Sequence, residues 1–206
     1  METIFVDQYH PSKQQFDQTI NELERGNLVI LPTDTYYCLC ALANQPTAVK
    51  MITLFQNALG KEERPLTFLC ASISQASDLM QVDNMTYRIL NSVVPASVTF
   101  LLNGQQKTLK KYKMKNREQV GVRIPRHDLI HKIIDACSSS MVGQPIEQLE
   151  SDEDIEKLVG NYASIWLKTF YGVENQPSSI LDMCELPPKL IRRGLDFEKI
   201  AAFINK

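Results

Sequence analysis

The sequence predicts one α/β (α+β) domain, a mixed sheet with helices outside it. Three observations predict it. Strand-like and helix-like segments alternate along the whole chain. No Gly/Ser-rich linker, low-complexity tract or internal repeat divides residues 1–206. The 206 residues are 44% hydrophobic, and at this length about 70% of the unfolded surface can be buried, enough for a sizeable core.

The elements follow in order. Residues 3–6, TIFV, suit a short strand. Residues 11–25 suit a helix, with Phe16, Ile20 and Leu23 on one face and Gly26 as the stop. NLVILP at 27–32 is an apolar run of buried-strand length, and YYCLCALA at 36–43 reads as a second strand. Ala48, Ile52, Phe55 and Leu59 mark a helix over 46–59, closed by Gly60. PLTFLCA at 65–71 is strand-like. A helix over 84–94 stops at Pro95, and SVTFLLNG at 97–104 is a strand ending in a turn.

QVGVRIP at 119–125 is a further strand. Leu129, Ile130, Ile133, Ile134 and Cys137 form a helical stripe. SDEDIEKLVG at 151–160 opens with Ser151 as a cap and acids in its first turn. SSILDM at 178–183 and KLIRRG at 189–194 read as strands. A last helix over about 196–204 turns Phe197, Ile200, Ala201 and Ile204 inward.

Composition narrows the class. No apolar run approaches the roughly 20 residues needed to cross a bilayer. The first fifteen residues lack the basic and apolar regions of a signal peptide. Five cysteines (Cys38, Cys40, Cys70, Cys137, Cys184) are an odd number without a C-x-x-C pair, and His10, His127 and His131 do not cluster with them. Free thiols in a reducing, cytoplasmic setting are expected, with no tightly bound metal and no membrane.

The net charge of -2 hides an asymmetry. Residues 107–117, KTLKKYKMKNR, hold Lys107, Lys110, Lys111, Lys113, Lys115 and Arg117 with no acid. An acidic body with one basic strip invites an anion or a nucleic acid there, and the strip equally suits a solvated loop at a hairpin tip.

Four segments could carry chemistry. In LPTDTYY, 31–37, a core strand runs into Thr33, Asp34 and Thr35, placed either to hold a small polar ligand or to satisfy a local turn. In GVRIPRH, Arg123 lies between Val122 and Ile124, so its charge must face solvent, a partner or an anion. IRRG ends a strand with Arg192 and Arg193. NQPSSILD puts Ser178 and Ser179 before another strand.

The order of these segments carries more than any one of them. P-T-D-T-x-Y, R-P-L, P-x-x-x-T, V-R-I-P, P-S-S-I-L-D and I-R-R-G together resemble the YrdC/YciO family over about residues 15–195, the YciO branch most. The resemblance implies a twisted mixed sheet around a large basic cavity. It implies one YrdC-like domain, without the additional C-terminal domain of longer members. TsaC-like members are threonylcarbamoyladenylate synthases. They join threonine, bicarbonate and ATP, with Mg2+, on the way to threonylcarbamoyladenosine in tRNA.

Members are also described as binding double-stranded RNA or tRNA. By resemblance Thr33, Thr35, Tyr37, Thr99, Arg123, Ser140, Ser178 and Arg192 line the threonine and nucleotide cavity.

The departures bear on activity. Cys38 and Cys40 stand where the family motif has glycines. The K-x-R signature falls on Ala58 and Gly60, with Lys61 and Arg64 nearby as replacements for phosphate contacts. The S-A-N asparagine falls on Val142, and Ala96 replaces the glycine of P-G-x-x-T. Each lost charged contact removes about 1.5–3 kcal/mol, so two weaken ATP binding on the order of a hundredfold. The expectation is therefore a YciO-like protein binding double-stranded RNA, tRNA or rRNA through Lys107, Lys110, Lys111, Lys113, Lys115 and Arg117 at the cavity mouth, with an inherited nucleotide and threonine cavity. The alternative is an active synthase using ATP and Mg2+.

Overall fold

A computed structural model describes residues 1–61, 64–112, 118–147, 151–185 and 187–204. Its elements begin with β1 (Glu2–Val6), α1 (Lys13–Glu24), β2 (Leu28–Pro32), β3 (Tyr37–Leu42), α2 (Pro46–Ala58) and β4 (Thr67–Leu69). Then come α3 (Ile73–Ser77), α4 (Asn84–Val93), β5 (Val98–Asn103), α5 (Gln106–Lys111), β6 (Gln119–Arg123) and α6 (Asp128–Ala136). The chain continues with β7 (Met141–Pro145), α7 (Asp152–Val159), β8 (Ala163–Thr169), β9 (Ser179–Asp182), β10 (Lys189–Arg192), a 3-10 turn (Phe197–Lys199) and α8 (Ala201–Ile204).

All ten strands join one sheet in the order β1-β8-β2-β3-β7-β4-β6-β5-β9-β10. Parallel pairs (β1–β8, β2–β8, β4–β6, β5–β9) mix with antiparallel ones (β2–β3, β3–β7, β4–β7, β5–β6, β9–β10). Central strands β2 and β3 are buried on both faces, which is why NLVILP reads as a continuous apolar run.

Strand alternation sorts the core into two layers. On one face Ile30, Leu39, Phe68, Phe100, Val122, Val142 and Leu181 pack with α2, α4 and α7 through Ile52, Phe55, Leu90 and Val159. On the other, Val29, Leu31, Cys38, Cys40, Leu42 and Ile165 pack with α1 and α6 through Leu23, Leu129, Ile130, Ile133 and Ile134. α1 starts at Ser12, whose hydroxyl accepts from the Gln15 amide while the Gln15 side chain accepts from the Ser12 amide. Further along this second face, over β4, β6, β5 and β9, the side chains line a cavity instead.

The structure adds α3, α5, β7 and β8 to the elements expected from sequence. β7 contains Gly143 and Pro145, residue types depleted in strands. Gly143 is required there: a Cβ would lie 2.7 Å from Cys38 Sγ. Half of the basic strip is helical rather than a hairpin loop. Leu109, the lone buried residue of α5, anchors it to the core layer that includes Leu102 and Val120. The last helix is split, with Ile200 buried at the junction of the 3-10 turn and α8.

Candidate functional site

The cavity has a volume of about 320 Å³, at the lower end of ligand pockets. Its floor is the sheet: Cys38 of β3, Gly143 and Pro145 of β7, Thr67 and Leu69 of β4, Arg123 of β6, Thr99 and Leu101 of β5, Ile180 of β9 and Arg192 of β10. Register explains the grouping. Leu69 pairs with Arg123, and Thr99 with Ile180, so these side chains share a face. Thr35, Tyr36, Arg64, Glu147 and Ser178 close it from the loops.

The PTDT turn is tied to Arg123. The Asp34 carboxylate pairs with Arg123 Nη2, and Thr35 Oγ1 accepts from Nη1 at 2.7 Å. The Asp34 carboxylate also accepts from Ser97 Oγ at 2.8 Å and from the Arg126 amide at 3.0 Å. Arg123 is 4% exposed, and its Nε is buried without a hydrogen-bond partner among the described residues. A buried donor left in that state costs about 1–3 kcal/mol.

A second polar group stands at the β9–β10 end. Thr99 and Ser178 share a hydroxyl hydrogen bond of 3.0 Å. Arg192 donates from Nε to the Ser178 carbonyl at 2.9 Å and from Nη2 to the Ser178 hydroxyl at 3.1 Å. Glu147 draws three cations: Lys61 Nζ at 2.7 Å, Arg64 Nη1 at 3.5 Å and Arg192 Nη1 at 3.7 Å. Burial pushes the Glu147 carboxyl up, but the Lys61 hydrogen bond and the three positive charges hold it, on balance, below its usual value. Burial pushes the Arg192 guanidinium down, with Glu147 opposing it.

Thr35, Thr99, Arg123, Ser178 and Arg192 thus line one cavity, with Arg64 at the rim and Lys61 behind it on Glu147. Three expected residues stand apart. Thr33 is spent on the turn, donating to the Tyr36 carbonyl at 2.7 Å and accepting from the Thr35 amide at 3.2 Å. Tyr37 points to the opposite face, packing edge-on against Trp166 while its hydroxyl accepts from the Thr169 amide at 3.2 Å. Tyr36 lines the cavity in its place, because β3 begins at Tyr37 and sets the alternation. Ser140 is buried before β7, where its carbonyl accepts from the Ala43 amide at 2.9 Å, and is not among the cavity residues.

Glu147 and Tyr36 were not anticipated. Glu147 follows the unexpected strand β7, so no strand register was available to point to it.

The two motif cysteines differ in role. Cys38 lines the cavity; Cys40, on the same face, is wholly buried with its thiol pushed up by burial. Behind the PTDT turn lies a second pocket of about 400 Å³, lined by Thr33, Asp34, Arg126 and His127 among others. Burial lowers His127 to about 4, against the pull of Asp34 and Asp128.

The basic strip stands elsewhere. Lys107, Lys110 and Lys111 are exposed on α5, and none lines the cavity. Leu109 of the same helix belongs to the core layer on the other face of the sheet, so this half of the strip does not border the cavity mouth. Lys113, Lys115 and Arg117 lie outside the described residues.

Among the described residues no three His, Cys, Asp or Glu side chains come together as a metal site, and the cavity-lining acid Glu147 is engaged by Lys61, Arg64 and Arg192. No helix among them is long and apolar enough to cross a membrane.

The Sua5/YciO/YrdC family model, described as "Telomere recombination", matches residues 21–194. The chain belongs to the Sua5/YciO/YrdC family. Among its relatives in that family, Escherichia coli YciO is 21% identical over 192 residues, covering 90% of this chain and 92% of YciO. The threonylcarbamoyl-AMP synthase of Pyrococcus abyssi is 28% identical over 195 residues, covering 89% of this chain and 55% of the synthase. The fold agrees. The crystal structure of E. coli YciO superposes with a TM-score of 0.82 at 20% identity, covering 96% and 97% of the two chains. That of P. abyssi Sua5 complexed with L-threonine gives 0.84 at 22% identity, covering all of this chain and 61% of Sua5.

Proposed function

We propose that this Sua5/YciO/YrdC protein binds a small ligand bearing a carboxylate or phosphate, of the amino-acid or nucleotide class, in the cavity over β4, β6, β5 and β9. Arg123 carries the reading. A buried guanidinium, fixed by Asp34 and Thr35, lines the cavity together with Thr99. Fixing a charged donor in place before the ligand arrives lowers the ordering cost of binding. Leu66, Leu69, Leu101 and Ile180 supply an apolar wall for the rest of the ligand. A P. abyssi relative crystallised with L-threonine makes threonine the first ligand to test.

Threonylcarbamoyladenylate synthesis from threonine, bicarbonate, ATP and Mg2+ is less well supported. Lys61 and Arg64, the replacements for the family's triphosphate grip, are both held by Glu147. Calorimetry with L-threonine and with AMP should give saturable binding that Arg192→Ala weakens at least tenfold. Silence with both would end the reading. Pyrophosphate release from threonine, bicarbonate and ATP at many turnovers per enzyme would replace it with the synthase.

Binding of duplex RNA, tRNA or rRNA is a second reading. It is favoured by Lys107, Lys110 and Lys111, three exposed lysines on one short helix with no ion pair among the described residues. It needs a surface separate from the cavity, since α5 does not line it.

A further inference from the structure

Among the described residues, Glu147 is the acid that meets the cations at the β10 end of the cavity. Its Oε2 is 2.7 Å from Lys61 and 3.5 Å from Arg64, and its Oε1 is 3.7 Å from Arg192. The side chain is 15% exposed, so water screens these contacts less than at an open surface. Three cations converging on one point are what a phosphate-binding site requires. Here the point is occupied by a carboxylate of the chain itself.

We propose that Glu147 is the specificity-determining residue of the cavity: an internal anion that fills the place of a polyphosphate and restricts the site to ligands of low negative charge. This rests on the small-ligand reading above and sharpens it. Around the cavity, Lys61, Arg64, Arg123 and Arg192 face the carboxylates of Asp34 and Glu147. Among these described side chains the formal excess is two positive charges. An amino-acid carboxylate or a nucleoside monophosphate, carrying one or two negative charges, balances it. A triphosphate overfills it and must also displace or crowd Glu147, whose negative charge repels it. Two like charges brought to about 4 Å in a partly desolvated site oppose binding strongly. The same argument explains why Lys61 and Arg64 do not restore the family's K-x-R grip: their charge is already used.

The test is Glu147→Gln, which keeps size and removes charge, with Glu147→Ala beside it so that one folded variant is in hand. Circular dichroism melting checks both. Inorganic tripolyphosphate and AMP are titrated calorimetrically into wild type and variants, without magnesium. Tripolyphosphate affinity should rise at least tenfold in the variants, and by a larger factor than AMP affinity. Wild type that binds AMP, with variants whose tripolyphosphate affinity is unchanged or lower, overturns the role of Glu147 and leaves the cavity reading standing. Neither probe binding to any of the three proteins overturns both.

Discussion

Replacing Arg123 by methionine tests the central contact of the site. The side chain is 5% exposed and that of its partner Asp34 6%. Removing one partner of a buried ion pair costs about 3–5 kcal/mol, because the other charge is left uncompensated. Two features of this site reduce that figure. Asp34 keeps the Ser97 hydroxyl at 2.8 Å and the Arg126 amide at 3.0 Å. The substitution also removes the partnerless Nε, whose burial costs about 1–3 kcal/mol. The expected loss is about 3 kcal/mol.

The double variant Asp34→Asn, Arg123→Met carries neither charge and should lie within about 1 kcal/mol of wild type, since neutral replacement of a buried pair is often tolerated. Urea unfolding at pH 7, followed by fluorescence of Trp166, measures both. Trp166 is 1% exposed and packs on Tyr37, so it reports loss of the core. A single variant losing less than 1 kcal/mol, or a double variant as unstable as the single, would refute the reasoning.

Three further outcomes are expected. Gly143→Ala should cost about 1–3 kcal/mol by crowding Cys38 Sγ and Leu69. Cys38→Gly in the same chain should recover at least 1 kcal/mol of that; strictly additive denaturation midpoints would show that the two positions do not share the space. His127, held near 4 in the folded chain against 6.5 unfolded, contributes stability above pH 6.5 that is lost as pH falls through 4. The loss is on the order of 3 kcal/mol. His127→Gln should flatten that part of the stability profile, and identical slopes in both proteins would contradict it. Replacing Lys107, Lys110 and Lys111 with alanine should lower the log-log salt slope of duplex RNA binding by up to about 2.7, alike for all sequences. An unchanged slope in a filter or anisotropy assay would make α5 a solvated helix.

Much of this protein was legible from its residues. The apolar run at 27–32, the strand-like segment at 119–125 and the helical stripes at 46–59 and 129–137 became β2, β6, α2 and α6 within a few residues. Their periodicity is a local consequence of burying one face. Thr35, Thr99, Arg123, Ser178 and Arg192 could be named in advance because the order of motifs along the chain resembles the YrdC/YciO family, which implies these positions in its cavity. β7 escaped notice because its Gly143 and Pro145 answer to Cys38 and to β3, partners about a hundred residues away in sequence. Without β7 there was no reason to look at Glu147.

Tyr36 and Tyr37 show the limit most sharply. The sequence determines that one of two adjacent tyrosines faces the cavity and the other the core. A shift of one residue exchanges them, and only the pairing of Pro32 with Tyr37 and of Cys38 with Pro145 selects Tyr36. The basic strip follows the same logic. Its charge is written in the sequence, but which face of the sheet it occupies depends on where Leu109 finds its core, and that is a tertiary contact.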